Sequence, residues 1–392
     1  MNRPFRSDES KPLSYLQLIF REVARCGETS PAELARLLGL QLSTVNAKLR
    51  TLVQKGVVES RDHRKRLGLN STFGYVAGID LGGSHVHYAL ADFRGETLCE
   101  SDEKIQPEDG PARLIRQTQE GVRTVVAGLP RHGRLRAVAI GVPSPVTPKL
   151  GVLSWANNLP GWKDVHLKAE LEREFRVPIY MENDANMAAI GEHWRGVARA
   201  VDNFVFIALG TGIGAGVFVD GKLYVGRTGA AGELYRMNVE WPRWDEDFGD
   251  TGHFESYVSG LGIAAEGHKS LGAEAGGKPS GLREERDAYF VFEALRQGNP
   301  RAREVLEKIF TMLGVGVANV VAVLDPELIV FGGGVSKGAP DLMLATVERV
   351  MGRIQPDPPP LKLSALQDEA QTYGAIFSAL GLAQDAVMRQ LA

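Results

Sequence analysis

YVAGIDLGGSHVHYALADFRGE, residues 75–96, decides how the rest of the chain is read. The spacing predicts a buried strand over residues 76–79, an acid at Asp80 and a tight turn at Gly82, Gly83 and Ser84. A second strand over residues 86–91 and a turn at Arg94-Gly95 come next. Glycine lets a backbone turn sharply and present its N–H groups to a ligand, and the Ser84 hydroxyl adds a donor. Asp80 stands at the mouth of the turn, where a carboxylate can hold a hydrated cation such as Mg²⁺. The stretch suits a phosphate cradle built on a β-hairpin. It equally suits a plain hairpin with a Gly-Gly turn and a capping Asp.

The pattern returns downstream. Residues 204–209 (FVFIAL) read as a buried strand, residues 210–216 (GTGIGAG) as a glycine-rich turn, residues 217–219 as a strand and Asp220-Gly221 as a hairpin turn. Two such hairpins facing across a cleft would clamp the phosphates of a nucleotide from both sides. Between them in sequence lies Met181-Glu182-Asn183-Asp184-Ala185-Asn186, at the junction of a strand (177–180) and a helix (187–195). A carboxylate there is placed to accept a proton from a substrate hydroxyl, with Asn183 orienting the same group. Capping the helix is the commoner task of Asn or Asp at such a position. Residues 137–141 form a further strand that runs into a Pro- and Gly-rich loop. Its Asn157-Asn158-Leu159-Pro160-Gly161-Trp162 either offers amides to sugar hydroxyls or is an ordinary structured loop. Helices are expected at residues 168–175, 302–323 and 370–391, with Gly314 and Gly316 allowing close packing in the second. A strand over residues 326–331 ends in Gly332-Gly333-Gly334, and residues 272–281 read as a flexible loop.

Upstream of residue 75 the composition changes. Residues 1–72 hold 13 Lys/Arg against 7 Asp/Glu, a net +6, and the remaining 32 against 41 give −9. A basic head on an acidic body points to a polyanionic partner for the head alone. Leu16, Ile19, Phe20 and Val23 recur at one-face helical spacing, and Cys26-Gly27 ends that helix. Ser30-Pro31 starts a second helix, which Gly39 breaks. A third runs from Gln41 to Gln54 with Leu42, Val45, Leu49, Leu52 and Val53 inward. Its outward Ser43, Thr44, Asn46, Ala47, Lys48 and Arg50 suit a major groove, short polar groups for bases and cations for phosphates. Residues 57–59 begin a strand, and Arg61, His63, Arg64, Lys65 and Arg66 form a basic wing that returns to Leu67 and Leu69. The pattern is that of a winged helix-turn-helix; a small protein-interaction domain with solvated charges is the alternative. Asn70-Ser71-Thr72 makes a linker short enough to couple the head to the body.

The 392 residues allow two or three domains. No apolar run approaches the roughly 18 residues of a membrane span, and the N-terminus lacks a signal-peptide core. The only cysteines, Cys26 and Cys99, cannot build a disulfide framework. The expected compartment is the cytoplasm. His85, His87, His132, His166 and His193 lack ligand spacing and read as structural or surface residues.

The residues together resemble the ROK family (repressors, open reading frames and sugar kinases) of the actin-like ATPases, over essentially the whole chain. GIDLGGS (78–84), GVPSPV (141–146), NNLPGW (157–162), ENDAN (182–186), LGTGIGAG (209–216), GAAGEL (229–234) and PELIVFGGGVS (326–336) carry the resemblance. It implies an α/β fold of two ribonuclease H-like lobes behind a winged helix-turn-helix. The head would be residues 1–72 and the body 73–392, with one lobe at about 73–190 plus 371–392 and the other at about 191–370. Asp80, Gly82, Gly83 and Ser84 look like the first phosphate loop, Thr211 and Gly212 like the second, and Gly332, Gly333 and Gly334 like the turn beside adenosine. Asp184 looks like the catalytic base, and Asn158, Asn183, Glu233 and Glu255 like sugar-hydroxyl ligands. ATP and Mg²⁺ are the cofactors such a body would take.

The sequence also departs from the family. Gly-Glu-x-Gly-His and a zinc-binding cysteine cluster are usual at this point, but here residues 232–236 are GELYR, and Glu246, Phe248 and His253 stand where cysteines would. Without thiolates a tetrahedral zinc site is not expected, and Trp241, Trp244 and Phe248 are expected to pack in its place. Arg236 replaces the histidine. It either selects an acidic or phosphorylated sugar, as a guanidinium forks onto such groups, or pairs structurally with Glu233 or Glu255. The expectation is a sugar-responsive DNA-binding repressor acting as a homodimer or dimer of dimers on operator DNA; an ATP-dependent sugar kinase is the alternative.

Overall fold

Two serines set the geometry of the head. In the computed structural model, which describes residues 13–61, 66–106, 110–130, 133–147, 151–153, 161–162, 165–271 and 288–392, Ser14 and Gln17 exchange side-chain-to-backbone hydrogen bonds at the start of α1 (Tyr15–Cys26). After β1 (Glu28–Thr29), Ser30 and Glu33 close the same reciprocal box on α2 (Pro31–Leu38), with Pro31 at the first position. Gly27 and Gly39, both at positive φ, stop the two helices. Next come α3 (Leu42–Gln54), β2 (Val58–Arg61) and β3 (Arg66–Leu69), in a sheet ordered β1-β3-β2. Ile19, Phe20, Val23, Leu34, Val45, Leu49 and Leu52 are buried. Leu42 and Val53, expected inward, are 47% and 41% exposed. Leu42 is the first residue of its helix, and Val53 is turned about 100° from Leu52.

Each half of the body repeats one strand plan. β4 (Tyr75–Leu81), β5 (His85–Asp92) and β6 (Thr97–Lys104) form an antiparallel meander. α4 (Gly110–Ala127) leads to β7 (Leu135–Val142), and α5 (Leu167–Phe175) to β8 (Ile179–Asn183). The order is β6-β5-β4-β7-β8, with β4, β7 and β8 parallel. α6 (Asp184–Arg195) leaves this sheet. A second meander is built from β9 (Phe204–Leu209), β10 (Ile213–Val219) and β11 (Lys222–Leu223). Next come α7 (Glu255–Val258), α8 (Gly260–Leu271), α9 (Tyr289–Arg296), α10 (Pro300–Leu324) and β12 (Leu328–Gly332). α11 (Gly334–Gly338), α12 (Pro340–Ile354), β13 (Leu361–Leu363) and α13 (Ala370–Gln390) complete the chain. The second sheet runs β11-β10-β9-β12-β13, the same order relative to its first strand. The chain divides into two compact units, Met1–Met187 with Gln371–Ala392, and Ala188–Ala370. The head thus falls in the first unit.

In each unit a helix glycine makes room for an aromatic ring. A Cβ on Gly121 of α4 would stand 2.1 Å from the Tyr88 ring, and one on Gly316 of α10 2.2 Å from Phe254. Tyr88 and Phe254 are fully buried there. α10 corrects one expectation: by length and composition it could cross a membrane. Its Leu306, Ile309, Phe310, Leu313, Val317 and Val321 belong to the buried core of the second unit. The loop expected over residues 272–281 lies outside the described residues.

Candidate functional site

β4 and β8 flank β7 in parallel, with Asp80 opposite Gly141 and Gly141 opposite Glu182. Asp80 and the Asn183-Asp184 pair therefore sit at the carboxyl ends of the two strands on either side of β7, where α/β sheets place ligands. The first turn joins β4 to β5. The Gly82 N–H donates to His85 O at 2.9 Å, and Ser84 Oγ shares a hydrogen bond with His85 Nδ1 at 2.9 Å. Asp80 faces the start of α13. With its amide nitrogen turned to the carboxylate, Gln371 donates to Asp80 Oδ2 at 2.7 Å.

Asn183 caps α6. Its Oδ1 accepts from the N–H groups of Ala185 at 3.0 Å and Asn186 at 3.2 Å. Asp184 comes next, its Oδ1 accepting from the Ala185 N–H at 2.7 Å. Burial pushes its carboxyl up to about 6, against the pull of hydrogen bonds from Ala185 and Asn183. Behind it the buried Glu182 carboxylate accepts from Tyr180 Oη at 2.7 Å, Asn186 Nδ2 at 3.0 Å and the Asn183 N–H at 2.9 Å. Burial raises Glu182 as well, and these donors oppose the rise. Asn158 lies outside the described residues.

The second unit gathers the other candidates. The turn between β9 and β10 is shorter than expected: β10 already begins at Ile213, paired with Leu209, so Gly210, Thr211 and Gly212 form the turn and Gly214 and Gly216 belong to the strand. The Glu255 carboxylate packs on this turn, accepting from the Ile213 N–H at 2.8 Å, and a Cβ on Gly212 would strike it. Burial lifts Glu255 to about 7. Gly333, at φ +91°, lies so near the end of β9 that a Cβ would stand 2.3 Å from Leu209 O. Ser336 Oγ donates back to Gly333 O at 2.7 Å. Gly232, at φ +88°, presses on Ala215 of β10 and delivers the half-buried Glu233. Arg236 is exposed; its Nε donates to Tyr235 Oη at 2.6 Å and its guanidinium lies 5.0 Å from that ring.

On α3 the residues expected to read DNA are outward: Ser43, Asn46, Ala47 and Arg50 are exposed, Thr44 and Lys48 half-buried. Arg66, at the base of the wing, pairs with Glu28 at 3.6 Å. Arg64 and Lys65 lie outside the described residues.

The ROK family model matches residues 76–381. The chain belongs to the ROK family. A winged helix-turn-helix DNA-binding model matches residues 15–59 of the same chain. Among curated relatives of this ROK protein, a putative xylose repressor of Caldicellulosiruptor sp. is 27% identical over 92% of the chain and 93% of its own length. A glucokinase of Thermotoga maritima is 32% identical over 72% of the chain and 88% of its own length. Among solved structures, a ROK family transcriptional regulator described as a homologue of the E. coli MLC protein aligns with a TM-score of 0.80. It covers 95% of this chain and 98% of its own at 24% identity, a likeness of fold. A Streptomyces griseus ROK glucokinase solved with glucose and AMPPNP aligns at 0.64, with 26% identity over 78% of this chain and 99% of its own.

The segment where the family resemblance implies zinc does not fit that ion. Among the described residues no group of three or more His, Cys, Asp or Glu is placed to hold a metal. His253 Nδ1 accepts from the Val239 N–H at 3.5 Å, and its buried Nε2 meets no hydrogen-bond partner among the described residues. Its ring packs on Phe248 at 4.8 Å and Tyr257 at 5.2 Å. Arg243 lies 5.0 Å from Phe248 and 5.6 Å from Tyr257, and is bonded to Glu246 and Glu240. A cation–aromatic nest thus holds the segment. The expected packing of Trp241 and Trp244 is wrong: they are 81% and 72% exposed, and only Phe248 joins the nest. Trp241 opens a short 3₁₀ turn, Trp241–Arg243, and Trp244 caps it, in exposed surroundings that offer the indoles no apolar cover.

The first turn is already partly engaged within the chain. The carboxylate that would hold the cation already bonds to Gln371, and Gly82 spends its N–H on closing the hairpin. Gln371 and Glu182 are the functional candidates that sequence patterns missed. Gln371 meets Asp80 across nearly the whole body, and no local spacing signals such a pair. Glu182 could have been found as a carboxylate closing a buried strand.

Proposed function

We propose that this ROK protein is a DNA-binding transcriptional repressor that responds to a sugar, acting in the cytoplasm as a homodimer. One observation carries the reading: a winged helix-turn-helix and a ROK body share one chain, and a putative xylose repressor matches that chain almost end to end. α3 enters the major groove. Ser43, Thr44 and Asn46 meet base edges, and Lys48, Arg50, Arg64, Lys65 and Arg66 hold phosphates. Asn158, Asn183, Asp184, Glu233 and Glu255 take sugar hydroxyls. Arg236 forks onto an acidic or phosphorylated group if the ligand carries one. A dimer reads two half-sites related by its own twofold axis. Sugar binding shifts the population of body conformations and so the operator affinity. The test is fluorescence anisotropy on a duplex selected from a random library by the full-length protein, titrated with D-xylose, D-glucose and their phosphates. A sugar that weakens the complex is expected. An affinity unmoved by every sugar overturns the sensing reading, and failure to select any duplex overturns the DNA reading.

A sugar kinase is the second reading. It is favoured by Asp184, a strand-end carboxyl held near 6 and so ready to take a proton from a hydroxyl at neutral pH, and by the similarity to glucokinases. Gln371 on Asp80 and the presence of the head weigh against it. ADP release across the same sugars, present in wild type and lost in Asp184→Asn, would establish the kinase.

A further inference from the structure

We propose that Arg94 is the positioning residue that fixes the wing, and through it the DNA-reading head, to the ROK body. The inference rests on the reading of this chain as a DNA-binding regulator. Arg94 belongs to the turn joining β5 to β6, and that turn is braced on every side. Asp92 Oδ1 accepts from the N–H groups of Arg94 at 2.8 Å and Glu96 at 3.1 Å, and the Gly95 N–H donates to Asp92 O at 3.0 Å. Phe93 is fully buried; its N–H donates to Ser71 O at 3.2 Å, and its ring meets Phe73 edge-on at 5.1 Å. Arg136 of β7 lies 4.3 Å over Phe73 and donates to Phe73 O at 2.9 Å.

From this support a single guanidinium reaches both wing strands. Arg94 Nε donates to Leu69 O, the last residue of β3, at 2.6 Å, and its terminal nitrogen pairs with the Glu59 carboxylate of β2. The Arg94 side chain is only 21% exposed, so this pair is less screened than an ordinary surface bridge. A planar fork can hold a carbonyl and a carboxylate at once, which an ammonium does with far less geometric definition. The linker leaves little slack, because Asn70 donates to Gly56 O at 2.8 Å and Val57 O at 2.9 Å. A second tie joins head and body, from Gln17 Nε2 in α1 to Met388 O in α13 at 3.0 Å.

The two ties have the same origin. β5 carries the Gly82-Gly83-Ser84 turn at one end and the Arg94 turn at the other, about 26 Å apart for its eight residues. α13 sets Gln371, its second residue, against Asp80 and passes Met388 near its other end. A change at the first turn thus has two stiff elements leading to the head, and Arg94 is where one of them grips the wing.

Hydrogen exchange and operator binding on the full-length protein test the assignment, with Arg94→Ala and Arg94→Lys as variants. Backbone amides of β2 and β3 should exchange at least ten times faster in Arg94→Ala, with β4 and β7 unchanged. Lysine should restore little of the protection. The ratio of operator affinities without and with sugar should shrink toward one, while sugar affinity stays within twofold of wild type. A merely structural arginine would lower stability and leave that ratio alone. Wild-type exchange in β2 and β3, or an unchanged sugar ratio in Arg94→Ala, overturns the proposal. If the wild type selects no duplex, the regulator reading fails, and the exchange arm still decides whether Arg94 holds the wing.

Discussion

Asp184 is kept protonatable at a cost to the fold. Its carboxyl titrates near 6 in the folded chain against 3.8 for the free side chain. The folded state therefore binds the proton more tightly than the unfolded state, and stability falls as pH rises from about 4 to about 6. Above pH 6 the standing penalty is about 2 kcal/mol, discounted for partial exposure. Asp184→Asn should thus raise the denaturant-unfolding free energy by about that amount at pH 7.5 and change little at pH 4. An equal difference at both pH values would show that charge burial is not its cause. A site that gives up stability in this way has the signature of a functional carboxyl. Its position was legible in the sequence because a strand, an acid and a helix succeed one another locally. Asn183 was legible only as one of two tasks, and its Oδ1 bonds to two helix N–H groups reveal the capping one. Gln371 and Arg94 were not legible, because each acts on a partner that only the folded sheet brings near.

At the scale of elements, glycines decide where helices and rings meet. Gly316 of α10 and Gly352 of α12 look alike in sequence, but a Cβ on Gly316 would strike Phe254, and one on Gly352 meets nothing within 4 Å. Gly316→Ala gains about 1 kcal/mol in helix propensity and loses about 3 kcal/mol to overpacking, so a net loss near 2 kcal/mol is expected. Gly352→Ala keeps only the gain and should stabilise by about 0.5–1 kcal/mol. Thermal or urea unfolding of the two variants should therefore shift in opposite directions; the same sign for both would mean that ring packing does not govern α10. The strands β4, β7, β9 and β12 were readable as apolar runs because they are buried on both faces. β6 was not, since its residues alternate between half-buried and exposed. The start of β10 was misplaced because Gly214 and Gly216 imitate a turn, and only pairing with β9 shows them to be strand.

At the scale of the molecule, the repeated strand–glycine turn–strand pattern exposed a duplication, and the shared sheet order extends it beyond what the motifs reach. Charge is divided differently from the fold: the basic head falls in the same unit as half of an acidic body. Binding to DNA should then depend on the head cations against a repulsive background, and its salt dependence should count the phosphate contacts they make. Each phosphate contact contributes about 0.9 to the slope of log K against log salt. Arg50, exposed on α3, should behave as such a contact: Arg50→Ala should weaken selected and random duplexes alike and flatten the slope by about one unit. Asn46, exposed on the same helix, should behave otherwise. Asn46→Ala should leave the slope unchanged and lose discrimination between selected and random duplexes, by about 1–3 kcal/mol if it contacts a base edge. Anisotropy titrations at several salt concentrations measure both. If the two variants change slope and selectivity in the same proportion, α3 lies along the backbone instead of in the groove, and the wing has to carry the reading of sequence.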